Sequence, residues 1–285
     1  MLHSPQIAMK IADTISRVKA IRHDISGSVG FVPTMGYLHE GHLTLVRQAK
    51  KENSTVVVSI FVNPTQFGPA EDFNNYPRDI ERDLILLRKV NTDVVFIPTR
   101  EEIYPPGFNS WVEVGGISEK LEGKCRPGHF KGVCTVVAKL INIVEPGRAY
   151  FGQKDAQQVL VIQKMVKDLD MNLEIITVPT VREGDGLAMS SRNTYLSFEE
   201  RKAATILFES LKTAREMWIH GEKSAGLIRD KITSIICGEP LAKIEYISIA
   251  NSSTLDELQS INKPALVSLA VKIGKTRLID SVLLK

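Results

Sequence analysis

The stretch FVPTMGYLHEGHLTLV, residues Phe31–Val46, decides the fold. An apolar strand over Val29–Val32 leads through a Pro-Thr-Met-Gly turn into a helix. His39 and His42 lie three residues apart at the helix start, a spacing that places both side chains on one face. The first turn of a helix also presents unpaired N–H groups and the positive end of the helix dipole. The stretch therefore predicts an anion site that suits a phosphate chain.

Strands and helices alternate along the chain around this stretch. Thr55–Val62 and Asp93–Pro98 are almost entirely apolar, which is typical of strands buried on both faces of a parallel sheet. Ala149–Gly152 and Leu173–Val178 are predicted to be two further strands. The alternation predicts a doubly wound parallel-sheet α/β domain, Rossmann-like in architecture. The predicted helices of this half are Ile7–Ile21, His42–Lys51, Asp79–Val90, Val133–Val144 and Lys154–Asp168.

The region between the third and fourth strands is predicted to be irregular. Glu101–Gly123 is predicted to be a loop with one short strand at Trp111–Val114. Glu122–Gly132, EGKCRPGHFKG, is glycine-rich and basic and has no apolar period. That composition predicts a mobile surface loop.

The pattern changes after about Pro179. Two long helices are predicted over Phe198–His220 and Ser224–Cys237, with Ser197 as an N-cap. Three strand-like runs follow without alternation, which predicts a smaller α+β domain. These runs are Lys243–Ala250, Ala265–Lys272 and Thr276–Leu283. We therefore expect two domains, residues 1–180 and residues 181–285.

Composition excludes several classes of protein. The 285 residues are 43% hydrophobic and 24% charged, and the net charge of +3 is too small to indicate nucleic-acid or membrane binding. No apolar run approaches the length of a membrane span, and no signal peptide is recognisable. The three cysteines form no C-x-x-C pair, so we expect idle thiols in a reducing compartment. We expect a cytoplasmic protein.

Two more polar stretches follow predicted strands. Asn63–Gly68, NPTQFG, offers amide donors and acceptors that suit a small polar substrate, although a turn with its own local hydrogen bonds is the alternative. Gly152–Gln158, GQKDAQQ, contains Lys154, which can reach a phosphate, although an ordinary helix start with a solvated lysine is the alternative. Because the carboxyl ends of parallel strands share one edge of a sheet, we expect both stretches beside His39.

A fourth polar loop lies after the last strand of the first half. Met189–Asn193, MSSRN, carries two hydroxyls and a guanidinium, which could form an anion clamp or simply a linker. Arg126 and Lys131 are weaker candidates, since solvated surface charge explains them equally well. No P-loop, zinc spacing, paired-carboxylate signature or Ser-His-Asp order is present, and the H-x-x-H spacing excludes an H-E-x-x-H zinc protease.

These blocks together resemble the pantoate–β-alanine ligases, also called pantothenate synthetases. The matching blocks run in family order over nearly the whole chain, whereas H-x-G-H alone would mark only the wider nucleotidyltransferase superfamily. One departure is Tyr37, where the family most often has alanine, and Gln153 is another. The blocks are PTMGYLHEGHLTLVRQA, SIFVNPTQFGPAEDFNNYPR, LEGKCRPGHFKGVCTVVAKL, YFGQKDAQQ, REGDGLAMSSRNTYLS and SLAVKIGKTRLID.

The resemblance implies an ATP-dependent ligation in two steps. Pantoate would attack the α-phosphate of ATP to give pantoyl adenylate and pyrophosphate, and β-alanine would then displace AMP to give pantothenate. The family implies Mg²⁺, with ligands that the sequence does not identify, and a homodimer. Residues 1–180 would be the catalytic domain that binds ATP and pantoate, and residues 181–285 would be a lid.

The resemblance also assigns roles by matching position. His42, His39 and Lys154 would be catalytic. Gln66, Gln158, Asn63 and Arg126 would bind pantoate, and Gln66 would also bind β-alanine. The residues implied to bind ATP are Met35, Gly36, Tyr37, Leu38, His39, Glu40, Gly41, His42, Gly152, Gln153, Lys154, Asp155, Val181, Met189, Ser190, Ser191 and Arg192.

Two other functions fit parts of the sequence. A plain nucleotidylyltransferase would use the same histidine pair, but it gives no reason for Gln66, Gln158 and the second domain. A non-catalytic nucleotide- or RNA-binding module is the other possibility, and the dispersed charge and the absence of a basic stripe argue against RNA.

Overall fold

The computed structural model describes residues 9–285 and contains two sheets. The first has six strands, all parallel, in the order β1-β4-β3-β2-β5-β6. Its strands are β1 Lys10–Ala12, β2 Val29–Thr34, β3 Thr55–Ile60, β4 Val94–Phe96, β5 Arg148–Gly152 and β6 Glu174–Val178. The second sheet is antiparallel and consists of β7 Ala242–Asn251, β8 Ala265–Ile273 and β9 Thr276–Leu284.

Helices cover both faces of the parallel sheet. The helices of the first half are α1 Ile15–His23, α2 Glu40–Glu52, α3 Ile80–Lys89, α4 Arg100–Ile103, α5 Leu121–Cys125, α6 His129–Val144 and α7 Ala156–Asp168. Phe31, Val57 and Phe96 pack with α1, α6 and α7 on one face. Val32 and Val58 alternate with them and pack with α2 and α3 on the other face. The doubly wound α/β fold predicted from the sequence is therefore confirmed.

The second half packs helices against the antiparallel sheet. Its helices are α8 Phe198–Ala203, α9 Ile206–Ile219 and α10 Ala225–Cys237. Leu207, Ile228 and Leu269 are all fully or almost fully buried in the core that these helices form with β7, β8 and β9. The smaller α+β unit is thus confirmed, whereas the division after residue 180 stays a prediction. No helix in residues 9–285 is long and apolar enough to cross a membrane.

The order of the strands places the site. From β2 the chain moves outward through β3 and β4, and it later returns to the other side of β2 as β5 and β6. The connections therefore diverge between β2 and β5, and open α/β sheets bind ligands at the carboxyl ends of the strands at such a point. The stretch after β2 holds the two histidines, and the stretch after β5 holds Lys154.

The predicted helix over Ile7–Ile21 is wrong in its first half. Lys10–Ala12 forms β1, whose Ala12 carbonyl accepts a hydrogen bond from the N–H of Ile97 at 2.8 Å, while Ile7 lies outside the described residues. The helix begins only at Ile15, after Thr14 caps it by accepting the N–H of Arg17. The apolar residues of this edge strand happen to have helical spacing, so the predicted helix began too early.

The mobile loop predicted over Glu122–Gly132 is also wrong. This segment belongs to α5 and to the start of α6, and Glu122 and His129 are buried. Gly132 lies where α6 packs against the turn Pro64–Gln66, and a Cβ there would lie 2.3 Å from the carbonyl oxygen of Thr65. The glycine permits a close approach between two elements, which composition alone does not distinguish from a loop signal.

Two smaller predictions fail for local reasons. Trp111–Val114 forms no strand with any part of residues 9–285, and the N–H of Val112 instead donates to Thr135 Oγ1 of α6 at 3.0 Å. The single helix predicted over Phe198–His220 is two helices, α8 and α9. The hydroxyl of Thr205, at the break, donates to the Lys202 carbonyl at 2.9 Å.

A buried ion-pair network joins helix α5 of the first half to the antiparallel sheet. Glu122 of α5 accepts two hydrogen bonds of 2.8 Å from Arg277 of β9 and one of 2.8 Å from the Tyr246 hydroxyl of β7. Arg277 also donates to Glu245 at 2.7 Å. Burial would raise the pKa of Glu122, but the hydrogen bonds and charge of Arg277 outweigh it, so this pKa lies below its usual value. Glu122 is therefore charged at neutral pH and fully paired.

Candidate active site

A cavity of about 900 Å³ opens at the carboxyl ends of β2 and β5, between the two sheets. Four of the polar stretches identified in the sequence contribute to its wall. The site residues in the wall are Met35, His39, Gly41, His42, Asn63, Gln66, Arg126, Gly152, Lys154, Asp155, Gln158, Val181, Met189, Ser190, Ser191 and Arg192. The structure thus brings together loops that are more than a hundred residues apart in the chain.

Five residues of the sequence-based set lie outside this wall: Gly36, Tyr37, Leu38, Glu40 and Gln153. Leu38 is fully buried in the core, and Glu40 pairs with Arg47 on the exposed side of α2. The backbone carbonyl of Gln153 accepts a hydrogen bond from Ser281 at 3.4 Å. The predicted contact of these five residues with ATP stays a prediction.

The two histidines pack against each other and are joined by a hydrogen bond at the start of α2. His39 is the N-cap, and the ring of His42 lies 4.0 Å from the His39 ring between centroids. His42 Nδ1 accepts the backbone N–H of His39 at 3.3 Å. A Cβ on Gly41 would lie 2.9 Å from the His39 ring, so glycine is needed between them. Because Nδ1 of His42 accepts, its ring hydrogen lies on Nε2, which can donate.

Both imidazoles are neutral at physiological pH. Burial, and to a lesser extent the positive charge of Lys154, lower the pKa of His39 to about 4. Burial lowers the pKa of His42 well below its usual value, with His39 and Lys154 acting in the same direction. His39 Nδ1 is buried without a hydrogen-bond partner in residues 9–285. The pair offers neutral N–H groups to an anion, and the positive charge beside it comes from Lys154.

The turn before the histidines is held by Asp83 of α3, which the sequence analysis missed. The Asp83 side chain is fully buried and accepts the N–H groups of Tyr37 and Leu38, both at 2.7 Å. Burial raises the pKa of this carboxyl, while the two N–H groups oppose the rise. Asp83 occupies an apolar position of α3, between Ile80 and Leu87. A carboxylate at such a position was the available signal.

The larger side chain at Tyr37 does not narrow the cavity. Tyr37 adopts a positive φ of 48° in the turn, and the Arg82 guanidinium lies 4.8 Å from its ring centroid. The ring therefore packs under Arg82 on the outside of the turn. Tyr37 does not form part of the cavity wall.

We expect Asp83→Asn to lower kcat about tenfold or more and to lower the free energy of unfolding by about 1–3 kcal/mol, because an amide NH₂ would face one of the two N–H donors. Urea unfolding and steady-state kinetics measure the two effects. Glu81→Gln is the matched control, since Glu81 is an exposed residue of the same helix. Wild-type kinetics in Asp83→Asn would show that the turn holds without the carboxylate.

The glutamines of the site differ in whether their side-chain amides already have hydrogen-bond partners within the protein. The Gln158 side chain has no hydrogen-bond partner in the described part of the chain, whereas its neighbour Gln157 is buried and holds the N–H of Glu122 at 2.9 Å. The Gln66 side chain accepts from Asn63 at 3.1 Å and donates to Met35 Sδ at 3.0 Å. Gln66 and Gln158 can thus present amides to a ligand, while Gln157 is structural.

Asn63 and Arg126 form more hydrogen bonds within the protein than we expected from the sequence. Asn63 is 1% exposed and donates to Gln66 and to the Gly132 carbonyl, both at 3.1 Å. Arg126 donates to both oxygens of Glu71, at 2.8 and 2.6 Å. Both residues reach the cavity wall, but their hydrogen bonds first stabilise the turn that carries Gln66.

His129 is another residue that the sequence analysis missed. Its Nδ1 donates to the Gln66 carbonyl at 2.8 Å, and its Nε2 accepts from Arg126 at 3.1 Å. Burial and the charge of Arg126 lower its pKa to about 4, so the ring is neutral and its tautomer is fixed by these partners. No short sequence pattern identifies it, because its partners lie on another element.

The loop Met189–Arg192 forms the part of the cavity wall that lies beside the histidine turn, since a Cβ on Gly41 would lie 3.8 Å from Met189 Cβ. Ser190 accepts the N–H of Arg192 at 3.3 Å, and Ser191 donates to the Tyr37 carbonyl at 3.2 Å. The loop is thereby tied to the turn after β2. Arg192 extends towards the loop after β3 and pairs with Asp72, with an N–O distance of 2.9 Å.

Comparison with known proteins identifies one family along nearly the whole chain. The family model of pantoate–β-alanine ligases matches residues 6–283. The pantothenate synthetases of Acetivibrio thermocellus and Roseiflexus castenholzii are 58% and 56% identical, each over 97% of this chain and 100% of the relative.

Solved structures give the same result. A crystal structure of pantothenate synthetase from Thermus thermophilus is 46% identical with a TM-score of 0.92, covering 96% of this chain and 99% of that one. A pantoate–β-alanine ligase from Francisella tularensis, solved with β,γ-ATP and β-alanine, is 40% identical with a TM-score of 0.81, covering 97% and 98%. The chain belongs to the pantoate–β-alanine ligase family.

Proposed function

We propose that this cavity joins pantoate to β-alanine at the expense of ATP, through a pantoyl adenylate. The observation that carries the proposal is the pairing of two donor sets in one cavity. Neutral imidazole N–H groups and the Lys154 ammonium suit a phosphate chain, whereas the amides of Gln66 and Gln158 suit a small hydroxy acid. A nucleotide-binding protein without an acid substrate would not need the second set.

In the first step a carboxylate oxygen of pantoate attacks the α-phosphorus of ATP. The bond from that phosphorus to the bridging oxygen breaks, and pyrophosphate leaves with the electron pair. The reaction needs positioning and charge stabilisation more than a protein nucleophile. His42 Nε2–H and Lys154 supply these at the reacting phosphate, and Met189–Arg192 supplies hydroxyl and guanidinium donors for the remaining phosphate oxygens.

Pantoate carries two methyl groups beside its hydroxyls, and the cavity offers matching surfaces. Phe61, Val133 and Val136 line it near Gln66 and are buried. We propose that this apolar wall holds the methyl groups while Gln66 and Gln158 hold the hydroxyl and carboxylate oxygens. Asn63, Arg126 and His129 then act by holding Gln66 in place.

In the second step the neutral amine of β-alanine attacks the acyl carbon of the adenylate. The bond from this carbon to the AMP oxygen breaks, AMP leaves, and the new amide nitrogen loses one proton. Gln66 lies at the acid end of the cavity and is our candidate for orienting β-alanine. Closure of residues 181–285 over residues 1–180 would keep water from hydrolysing the adenylate.

Mg²⁺ fits this site as a companion of ATP. Residues 9–285 contain no group of three or more His, Cys, Asp or Glu side chains that could hold a metal. Mg²⁺ commonly binds substrate phosphates with one or two carboxylates and several waters. Asp155 is the wall carboxylate, in the described part of the chain, that pairs with no arginine. Its Oδ1 lies 3.3 Å from Lys154 Nζ, and it is the residue that would hold the ion.

We also propose that the protein is a cytoplasmic homodimer. Cysteine usage supports the compartment, and the family resemblance supports the dimer. Sedimentation equilibrium on the purified full chain measures the mass of the assembly. A monomer at micromolar concentration would contradict the second part of this proposal.

Product analysis tests the function directly. Purified protein is incubated with ATP, Mg²⁺ and pantoate, with and without β-alanine, and AMP, pyrophosphate and pantothenate are measured. We expect multiple-turnover AMP release only when pantoate and β-alanine are both present. AMP and pantothenate should then form in equal amounts. AMP release that ignores β-alanine would contradict the ligase, whereas multiple-turnover pyrophosphate release with AMP retained in a stable nucleotidyl product would favour a nucleotidylyltransferase.

A further inference from the structure

The loop after β3 and the loop after β6 meet at one carboxylate. Asp72 accepts the Nε–H of Arg192 with one oxygen and an Nη2–H with the other, both at 2.9 Å. The Tyr195 hydroxyl donates to the same carboxylate at 3.2 Å and lies 3.1 Å from the Asn75 carbonyl. Asp72 therefore lies in a hydrogen-bond network that spans both loops.

The contact uses only one edge of the guanidinium. Arginine carries five N–H donors in a planar fork, and Asp72 takes two of them. The other three, two on Nη1 and one on Nη2, have no partner in residues 9–285, and Arg192 forms part of the cavity wall. The bidentate pair fixes the plane of the guanidinium and leaves its second edge available to a ligand.

We propose that Asp72 is a positioning residue that orients Arg192 for the ATP phosphates, and that Tyr195 holds Asp72 in place. This inference rests on the proposed role of Arg192 at the phosphates. Because a flexible arginine has many rotamers, fixing its plane before the ligand arrives removes an entropic cost of binding. Asp72 itself needs no contact with substrate.

If Asp72 competed with ATP instead of orienting Arg192, removing it would change ATP affinity in the opposite direction. If Asp72 competed with phosphate for Arg192, its removal would strengthen ATP binding. If Asp72 orients Arg192, its removal weakens ATP binding and leaves pantoate binding nearly unchanged. The kinetic constants of an Asp72 variant therefore separate the two.

We expect Asp72→Asn to raise the KM for ATP and lower kcat/KM for ATP about tenfold, with less than a twofold change in the KM for pantoate. Tyr195→Phe, which keeps the ring, should give a smaller change in the same direction. Asn74→Ala is the matched control, since Asn74 is an exposed residue of the same loop. Melting temperatures check that each variant is folded.

A double-mutant cycle completes the test. In the Arg192→Ala background, Asp72→Asn should have little further effect, whereas a merely structural role would multiply the two losses. Unchanged or tighter ATP binding in Asp72→Asn, or multiplied losses in the double variant, would overturn the inference. If Arg192→Ala alone leaves the ATP kinetics unchanged, the failure lies in the proposed role of Arg192 at the phosphates.

Discussion

Replacing His42 with alanine is expected to slow formation of the pantoyl adenylate by about 10²–10³-fold, the range seen when one preorganised donor to a developing negative charge is removed. The reason is the neutral Nε2–H, whose position is fixed because Nδ1 accepts the His39 N–H. Pyrophosphate release in a single turnover with ATP and pantoate measures the step without β-alanine. His220→Ala, a change at an exposed histidine, is the control.

Two further variants separate the functions of the two ring nitrogens. Asn at position 42 can still accept the His39 N–H but has no donor where Nε2 lies, so His42→Asn should fold well and remain slow. Gln reaches further and can place a donor near Nε2, so His42→Gln should recover part of the rate. Near wild-type turnover in His42→Ala would remove His42 from the reaction.

Lys154→Ala is expected to cost about 2–4 kcal/mol of transition-state stabilisation, because Lys154 supplies the positive charge beside two neutral histidines. Lys164→Ala is the matched control: Lys164 is a lysine of α7 that pairs with Asp168 on the exposed surface. Initial rates at saturating and limiting ATP give kcat and KM separately. A loss confined to the KM for ATP would assign Lys154 to binding alone.

Lys154→Ala should also change how kcat depends on pH. The positive charge of Lys154 lowers the pKa of both histidines, so its removal raises these pKa values. If neutral imidazoles are needed, the acid limb of the kcat profile moves to higher pH in Lys154→Ala.

In the wild type the folded pKa of His39, about 4, lies below its value of 6.5 in the unfolded chain. Stability should therefore fall as pH falls from about 6.5 towards 4.

The strands and most site loops could be predicted because their signals are local. A run such as Thr55–Val62 is apolar throughout, and only burial on both faces explains that. The carboxyl ends of parallel strands coincide at one edge, so residues following β2, β3 and β5 had to lie close together. This reasoning placed His39, Gln66 and Lys154 at one edge from the sequence alone.

The failures have a common physical cause. Gly132 was taken for a loop signal, whereas it makes room for a neighbouring carbonyl. Asp83, Asp72 and His129 each have a partner on a distant element: Asp83 accepts from Tyr37, 46 positions away, His129 binds the Gln66 carbonyl, 63 positions away, and Asp72 accepts from Arg192, 120 positions away. Only tertiary packing defines such contacts, and no local period or motif reports them.

The Glu122–Arg277 network has a consequence for how the chain unfolds. The pair links α5 of the first half to β9 of the second, so it loses its compensation if either half melts alone, and an uncompensated buried charge is strongly unfavourable. Partial melting of one unit is thereby penalised, so we expect a single calorimetric transition whose van't Hoff and calorimetric enthalpies agree. Uncoupling the pair with Glu122→Gln should broaden or split that endotherm. We therefore expect this salt link to make the two halves of the chain one cooperative unit.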